Sequence, residues 1–275
     1  MAKILERVVH HQLYSYFTTD DLFSSTQHGF RNHFSTETAL TEVSDRILHA
    51  IDQGDVAVLV LIDLSRCFDV IDHDVLILKL RQYNVDTKWF QNYLYGHSQQ
   101  VRVRENDGNV IFSQSLPNTM GVYQGTCLGP LLFSIFSNDL SLYSRDASIY
   151  QFADDTQVLV TGKPQHLQLL ISRMENALAS ISDWFAHHCM KINTEKTQLI
   201  VFGSKVMLQR LPKITLRFGT SLLSECRTVK NLGLIMDRSL TFDSHIDELV
   251  RKSTGILIAI SHAKHCIPSD VIKDS

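Results

Sequence analysis

The stretch VAVLVLIDL, residues 56–64, does most to limit what this chain can fold into. Its first seven residues are apolar without a break and rich in β-branched types, the composition of a buried central strand. The run is far too short to span a membrane. It ends on Asp63, and an anion at the end of a buried strand is costly unless it is paired or bound to a cation.

A second feature sets the same problem. In YQFADDTQVLV, residues 150–160, Asp154 and Asp155 sit side by side at a tight bend between two apolar strands. Like charges repel, so the pair is either an exposed hairpin turn or a site for a divalent cation. If these strands pack beside the one ending at Asp63, three carboxylates converge at one end of a sheet. Hard oxygen donors in that number suit Mg²⁺ or Mn²⁺.

The rest of the chain mixes helices and strands. Helical spacing predicts an amphipathic helix over 3–18, and a second one capped by Ser35 or Thr36 and closed by Gly54. Short helices are predicted over 74–83, 86–95 and 131–140, a long one over 167–188, and a last one over 244–263. QQVRVRE and VIFSQSL alternate around Asp107-Gly108-Asn109, a hairpin signal. GVYQGTCLGP, 121–130, is a glycine-rich loop, and Gly29 marks a bend in an irregular stretch. This mixture, with antiparallel strands around the Asp pair, gives the class α+β.

Composition narrows the functional classes. Of the 275 residues, 44% are apolar and 20% charged, as in a folded globular protein. A net charge of −3 argues against a strongly basic nucleic-acid module but leaves room for an enzyme with a local basic cleft. Cys67, Cys127, Cys189, Cys226 and Cys266 are odd in number and scattered, which fits a reducing compartment rather than a disulfide framework. No secretory signal or membrane span is visible. His262, His265 and Cys266, and the His187–Cys189 run, lack the paired-Cys spacing of structural zinc.

Three segments in order, LIDLSRCFDVIDH (61–73), GVYQGTCLGPLLF (121–133) and FADDT (152–156), carry a specific resemblance. Together with QHGFR (27–31), INTEKTQLIVF (192–202) and VKNLGLIMD (229–237), the chain resembles the reverse transcriptases of non-LTR, LINE-type, jockey-like retrotransposons. The resemblance implies a right-hand polymerase palm with partial fingers and the start of a thumb. Residues 1–55 would be partial fingers, 56–204 the palm, and 205–275 the palm–thumb border and partial thumb.

The resemblance also implies roles. Asp63, Asp154 and Asp155 would be catalytic, holding two Mg²⁺ (or Mn²⁺) ions with help from the Leu64 carbonyl. Phe68 would lie against the sugar of the incoming nucleotide, where a rigid ring leaves no room for a 2′-OH. Arg31, Gln124, Gly125 and Lys196 would complete the nucleotide site. Gly121, Gly125 and Gly129 permit close backbone approach, and Tyr123 stands where the family usually has Pro. Lys79, Arg102 and Arg104 are candidates to track nucleic-acid backbone.

The implied activity is RNA-directed DNA synthesis, with RNA template, DNA primer and dNTPs as partners and an intracellular location, nuclear and cytoplasmic. Relatives of this kind normally carry an endonuclease, which these residues lack, so a shortened domain is expected. The alternative is an inactive remnant that binds nucleic acid or a protein partner.

Overall fold

The computed structural model describes residues 2–106 and 108–263. Its centre is a six-stranded sheet of β1 (Val56–Ile62), β2 (Ser148–Phe152), β3 (Asp155–Gly162), β4 (Gln198–Phe202), β5 (Thr215–Phe218) and β6 (Ser221–Cys226). The strand order is β5-β6-β4-β1-β3-β2. Adjacent strands run antiparallel apart from the parallel pair β4–β6. The unbroken apolar run of β1 follows from its central place with packing on both faces. Val56, Val58, Val60 and Ile62 enter one apolar cluster, and Ala57 and Leu59 enter the other.

Helices cover both faces. They are α1 (Ala2–Thr19), α2 (Thr36–Asp52), α3 (His73–Gln82), α4 (Lys88–Leu94), α5 (Leu128–Phe136), α6 (Leu167–His187), α7 (Lys205–Arg210) and α8 (Asp243–Ala263). The face of Ala57 and Leu59 packs on α2 through Val43 and Ile47. The opposite face carries α6 through Leu170, Met174, Leu178 and Ile181, together with α5. Ser35 caps α2 in a reciprocal capping box with Thr38. The larger cluster runs from Leu13 and Phe17 on α1 to Leu223 on β6, so packing is continuous across residues 55 and 56.

Lys79 does not track a nucleic-acid backbone. It is buried on α3, where its ammonium donates to Phe136 O at 2.6 Å and pairs with Asp139 Oδ1 at 2.6 Å. The rings of Phe136 and Trp184 lie 5.0 and 4.8 Å from it. Arg102 and Arg104 are exposed on the strand Arg102–Arg104, which pairs with Val110–Phe112 as the hairpin pattern predicts. Asp107 lies outside the described residues, as do His265 and Cys266. None of the residues of α8 is buried. Among the described residues no helix is long and apolar enough to cross a membrane.

Candidate active site

Asp63 follows the last residue of β1, and Asp155 opens β3. The two strands pair from Val56↔Gly162 to Ile62↔Thr156, and one residue beyond that last pair the chains present Asp63 and Asp155. Asp154 is in the turn that joins β2 to β3, where Phe152 pairs with Asp155. The bend is therefore Ala153–Asp154, with Ala153 left-handed at φ 55°, and Asp155 is already a strand residue. The sheet thus brings all three carboxylates to one end, as the sequence suggested.

Their mutual repulsion is visible in one group. The Asp155 carboxyl is pushed up to about 6 by loss of water around it and by the nearby Asp154 and Asp63 charges. Its side chain still reaches solvent at that end of the sheet. Among the described residues no three His, Cys, Asp or Glu side chains close on one point as metal ligands do. The carboxylates are neighbours, not a formed cage. Their chemistry nonetheless fits a hard divalent cation, which would relieve the repulsion they now carry.

Asp63 is tied to the turn that carries Lys196. Its carbonyl accepts from the Asn193 amide at 2.8 Å, and its amide donates to Thr197 Oγ1 at 3.4 Å. Thr197 in turn donates to Asn193 O at 2.9 Å. Lys196 is exposed on this turn. Leu64 pairs with Ile192, in register with Ser65↔Lys191.

The segment after Asp63 turns through left-handed Arg66 (φ 51°) into a 3₁₀ turn, Cys67–Asp69. Phe68 stacks on Phe133 at 4.4 Å and meets Phe30 edge-on at 6.2 Å. The glycine loop lies directly on this turn. Gly121 N donates to Ile71 O and Val122 N to Phe68 O, at 2.7 and 2.9 Å. His73 Nε2 donates to Gly121 O at 2.8 Å. Gly121 has φ 82°, and a Cβ there would stand 2.7 Å from Asp69 O, so both conformation and space require glycine. Gln124 Nε2 donates to Asp69 Oδ1 at 3.0 Å. Gly125 is exposed in open space at φ 78°, so a bent backbone and not close packing accounts for it. Tyr123 turns its ring toward Tyr93 and His97, edge-on at 5.9 and 5.4 Å.

Arg31 is bonded within its own loop. Its Nη1 donates to Ser24 O and Gln27 O at 2.8 and 3.0 Å, and its guanidinium lies 4.2 Å over Phe34. Through Nη1 Arg31 ties its own loop together.

Gln27 and Cys67 are the site neighbours that sequence reasoning passed over. Residues 26–28 form a parallel bridge to β2 of the β2–β3 hairpin: His28 N donates to Gln151 O at 2.8 Å, and Gln151 N to Thr26 O at 2.9 Å. Gln27, fully buried, accepts at Oε1 from Gly29 N at 2.8 Å and Ala153 N at 3.2 Å. His28 pins this strap to α2 through Thr38 Oγ1 and Glu42 Oε2, at 3.2 and 2.9 Å. Cys67 donates its thiol proton to Asp154 Oδ2 at 3.2 Å. Burial and the Asp154 charge push that thiol well up, so it stays a donor. The quoted motif QHGFR contained Gln27, but no local pattern told which of its residues reached the turn.

A sheet with helices on both faces, its carboxylates gathered at one end and a glycine loop bonded to the turn that follows Asp63, has the architecture of a polymerase palm. The chain belongs to the family described as "Reverse transcriptase (RNA-dependent DNA polymerase)", whose model matches residues 1–236. It is 29% identical over 269 residues to the "Probable RNA-directed DNA polymerase from transposon BS" of Drosophila melanogaster, covering 92% of this chain and 28% of that protein. It is 27% identical over 259 residues to the "RNA-directed DNA polymerase from mobile element jockey" of the same fly, covering 90% of this chain and 27% of that protein. The chain thus spans less than a third of the length of these relatives, and the jockey-like resemblance read from the motifs is borne out. Candida albicans telomerase, solved in complex with a TWJ fragment of telomeric RNA, superposes with a TM-score of 0.52 at 12% identity, over 87% of this chain and 39% of that one. That likeness bears on the fold alone, and it agrees with the expected palm. Reverse transcriptases generally use divalent metal ions.

Proposed function

We propose that this chain is the catalytic part of an RNA-directed DNA polymerase of a non-LTR retrotransposon, extending a DNA primer with dNTPs on an RNA template. The observation that carries this reading is the meeting of Asp63, Asp154 and Asp155 at paired strand ends, where loss of water and then the two neighbouring charges raise Asp155. In the reaction the primer 3′-OH attacks the α-phosphate of the dNTP and pyrophosphate leaves. Two Mg²⁺ or Mn²⁺ ions, held by Asp63, Asp154, Asp155 and the Leu64 carbonyl, would supply the positive charge that such a transfer needs.

The protein's own groups do the positioning. Phe68, braced by Phe133, presents a fixed aromatic wall to the sugar and excludes a 2′-OH. Gln124 and Gly125 lie on the open side of the glycine loop, within reach of a nucleotide or template base. Lys196, on the turn bonded to Asp63, is placed to meet the leaving pyrophosphate. The division into fingers (1–55), palm (56–204) and thumb border (205–275), and a nuclear and cytoplasmic location, belong to the same reading. Extension of a DNA primer on an RNA template by the purified chain, dependent on added divalent cation and lost in Asp63→Asn, is the test.

A further inference from the structure

Asp154 occupies the least supported place among the three carboxylates, because it sits in a two-residue turn whose first member is left-handed. A side chain in such a turn has no strand ladder to hold it. Two groups from distant parts of the chain supply what the turn lacks. From one side Gln27 Oε1 accepts the Ala153 amide, and the same oxygen accepts Gly29 N, so strap and turn share one acceptor. From the other side the Cys67 thiol donates to Asp154 Oδ2. Gln27 is 0% exposed and Cys67 2% exposed, so water does not replace either bond. Resting on the polymerase reading above, the geometry points to Gln27 and Cys67 as positioning residues that fix the Asp154 carboxylate for a divalent cation.

The two act on different parts of Asp154. Gln27 fixes the backbone on which the carboxylate is carried, and it reaches the turn from the strap that also holds Gly29, Phe30 and Arg31. Cys67 fixes the rotation of the carboxylate itself by engaging Oδ2, which leaves Oδ1 to a cation. A thiol is a weak donor, so a hydroxyl at that position preserves the interaction and a methyl group removes it. Partners that orient a metal-binding carboxylate typically affect metal affinity by roughly 10–100-fold.

Mn²⁺ binding to the full chain, followed by the EPR signal of free Mn²⁺, reads this without requiring turnover. Wild type is compared with Asp154→Asn, Cys67→Ala, Cys67→Ser and Gln27→Leu, each first checked for a native near-UV circular dichroism spectrum. The expected result is Mn²⁺ binding by wild type, its loss in Asp154→Asn, and binding weakened by about tenfold or more in Cys67→Ala and Gln27→Leu. Cys67→Ser retains wild-type binding. In primer extension the two weakened variants need more divalent cation and lose kcat, with KM for dNTP unchanged. Folded Cys67→Ala and Gln27→Leu that bind Mn²⁺ as wild type does overturn the positioning role alone. Equal binding by wild type and Asp154→Asn overturns the carboxylate site itself, and the positioning role with it.

Discussion

Gly29 lies flat against Ala153: a Cβ on the glycine would stand 2.8 Å from Ala153 Cα and nearer still to the Ala153 amide nitrogen. Both neighbours are backbone, so neither can rotate aside as a side chain can. Gly29→Ala should therefore push the strap off the Ala153–Asp154 turn and strain the Gln27 bond to Ala153. We expect a stability loss of about 1–3 kcal/mol, the usual range for overpacking, together with a larger loss of primer extension. Urea unfolding beside an extension assay checks both. Unchanged extension with full stability would show that strap and turn are not coupled.

Asp155 makes the metal-free protein sensitive to pH in a definite direction. Its carboxyl is raised from 3.8 to about 6 in the folded state, so the folded chain holds this proton more tightly than the unfolded chain. The contribution to stability is whole below the unfolded value and is lost as pH rises through about 6. In the absence of divalent ions, Asp155→Asn should melt higher than wild type at pH 7 and lose that advantage toward pH 4. Mg²⁺ should raise the wild-type melting temperature more than that of the variant. Parallel melting curves for the two proteins across that range would contradict the charge crowding.

Buried Lys79 pairs with the partly exposed Asp139 where α3, α5 and α6 meet, and burial pulls the Lys79 ammonium down while Asp139 opposes it. Removing the anion alone strands a buried cation. Asp139→Ala should cost about 3 kcal/mol, whereas Lys79→Met, which keeps the stem among Phe136 and Trp184, should cost less. Denaturant midpoints for the two variants test that order.

Much of the fold was legible because burial writes itself locally. The unbroken run of β1 reported its two covered faces, and the alternation around Asp107-Gly108-Asn109 reported a hairpin. The carboxylate cluster was legible because Asp63 and the Asp154–Asp155 pair break apolar strands where nothing local rewards an anion. Lys79 was not legible, because a lysine on an amphipathic helix reads as solvated until a partner 60 residues away covers it. Gln27 and Cys67 were missed for the same reason: their bonds to the turn span 126 and 87 residues. The bonds of Arg31 to Ser24 O and Gln27 O were not legible either, because spacing alone does not tell which carbonyls a guanidinium meets.

Phe68 stacks on Phe133 while remaining half-buried, so its ring is braced on one side and partly open to solvent. Phe68→Ala should admit ribonucleotides that wild type rejects. Its stability cost should fall below the about 3–5 kcal/mol of a fully buried ring. Extension with rNTPs in place of dNTPs measures the first effect. A folded variant that gains no ribonucleotide incorporation would remove the sugar-gate role.

The most direct measurement is extension of oligo(dT) on poly(rA) by the purified chain with Mg²⁺ or Mn²⁺, wild type beside Asp154→Ala. Wild type is expected to add dT in a cation-dependent manner and Asp154→Ala to add none, its fold intact because Asp154 stands in a turn. Folded wild-type protein that adds no nucleotide, or an Asp154→Ala protein that extends as well as wild type, would contradict this expectation.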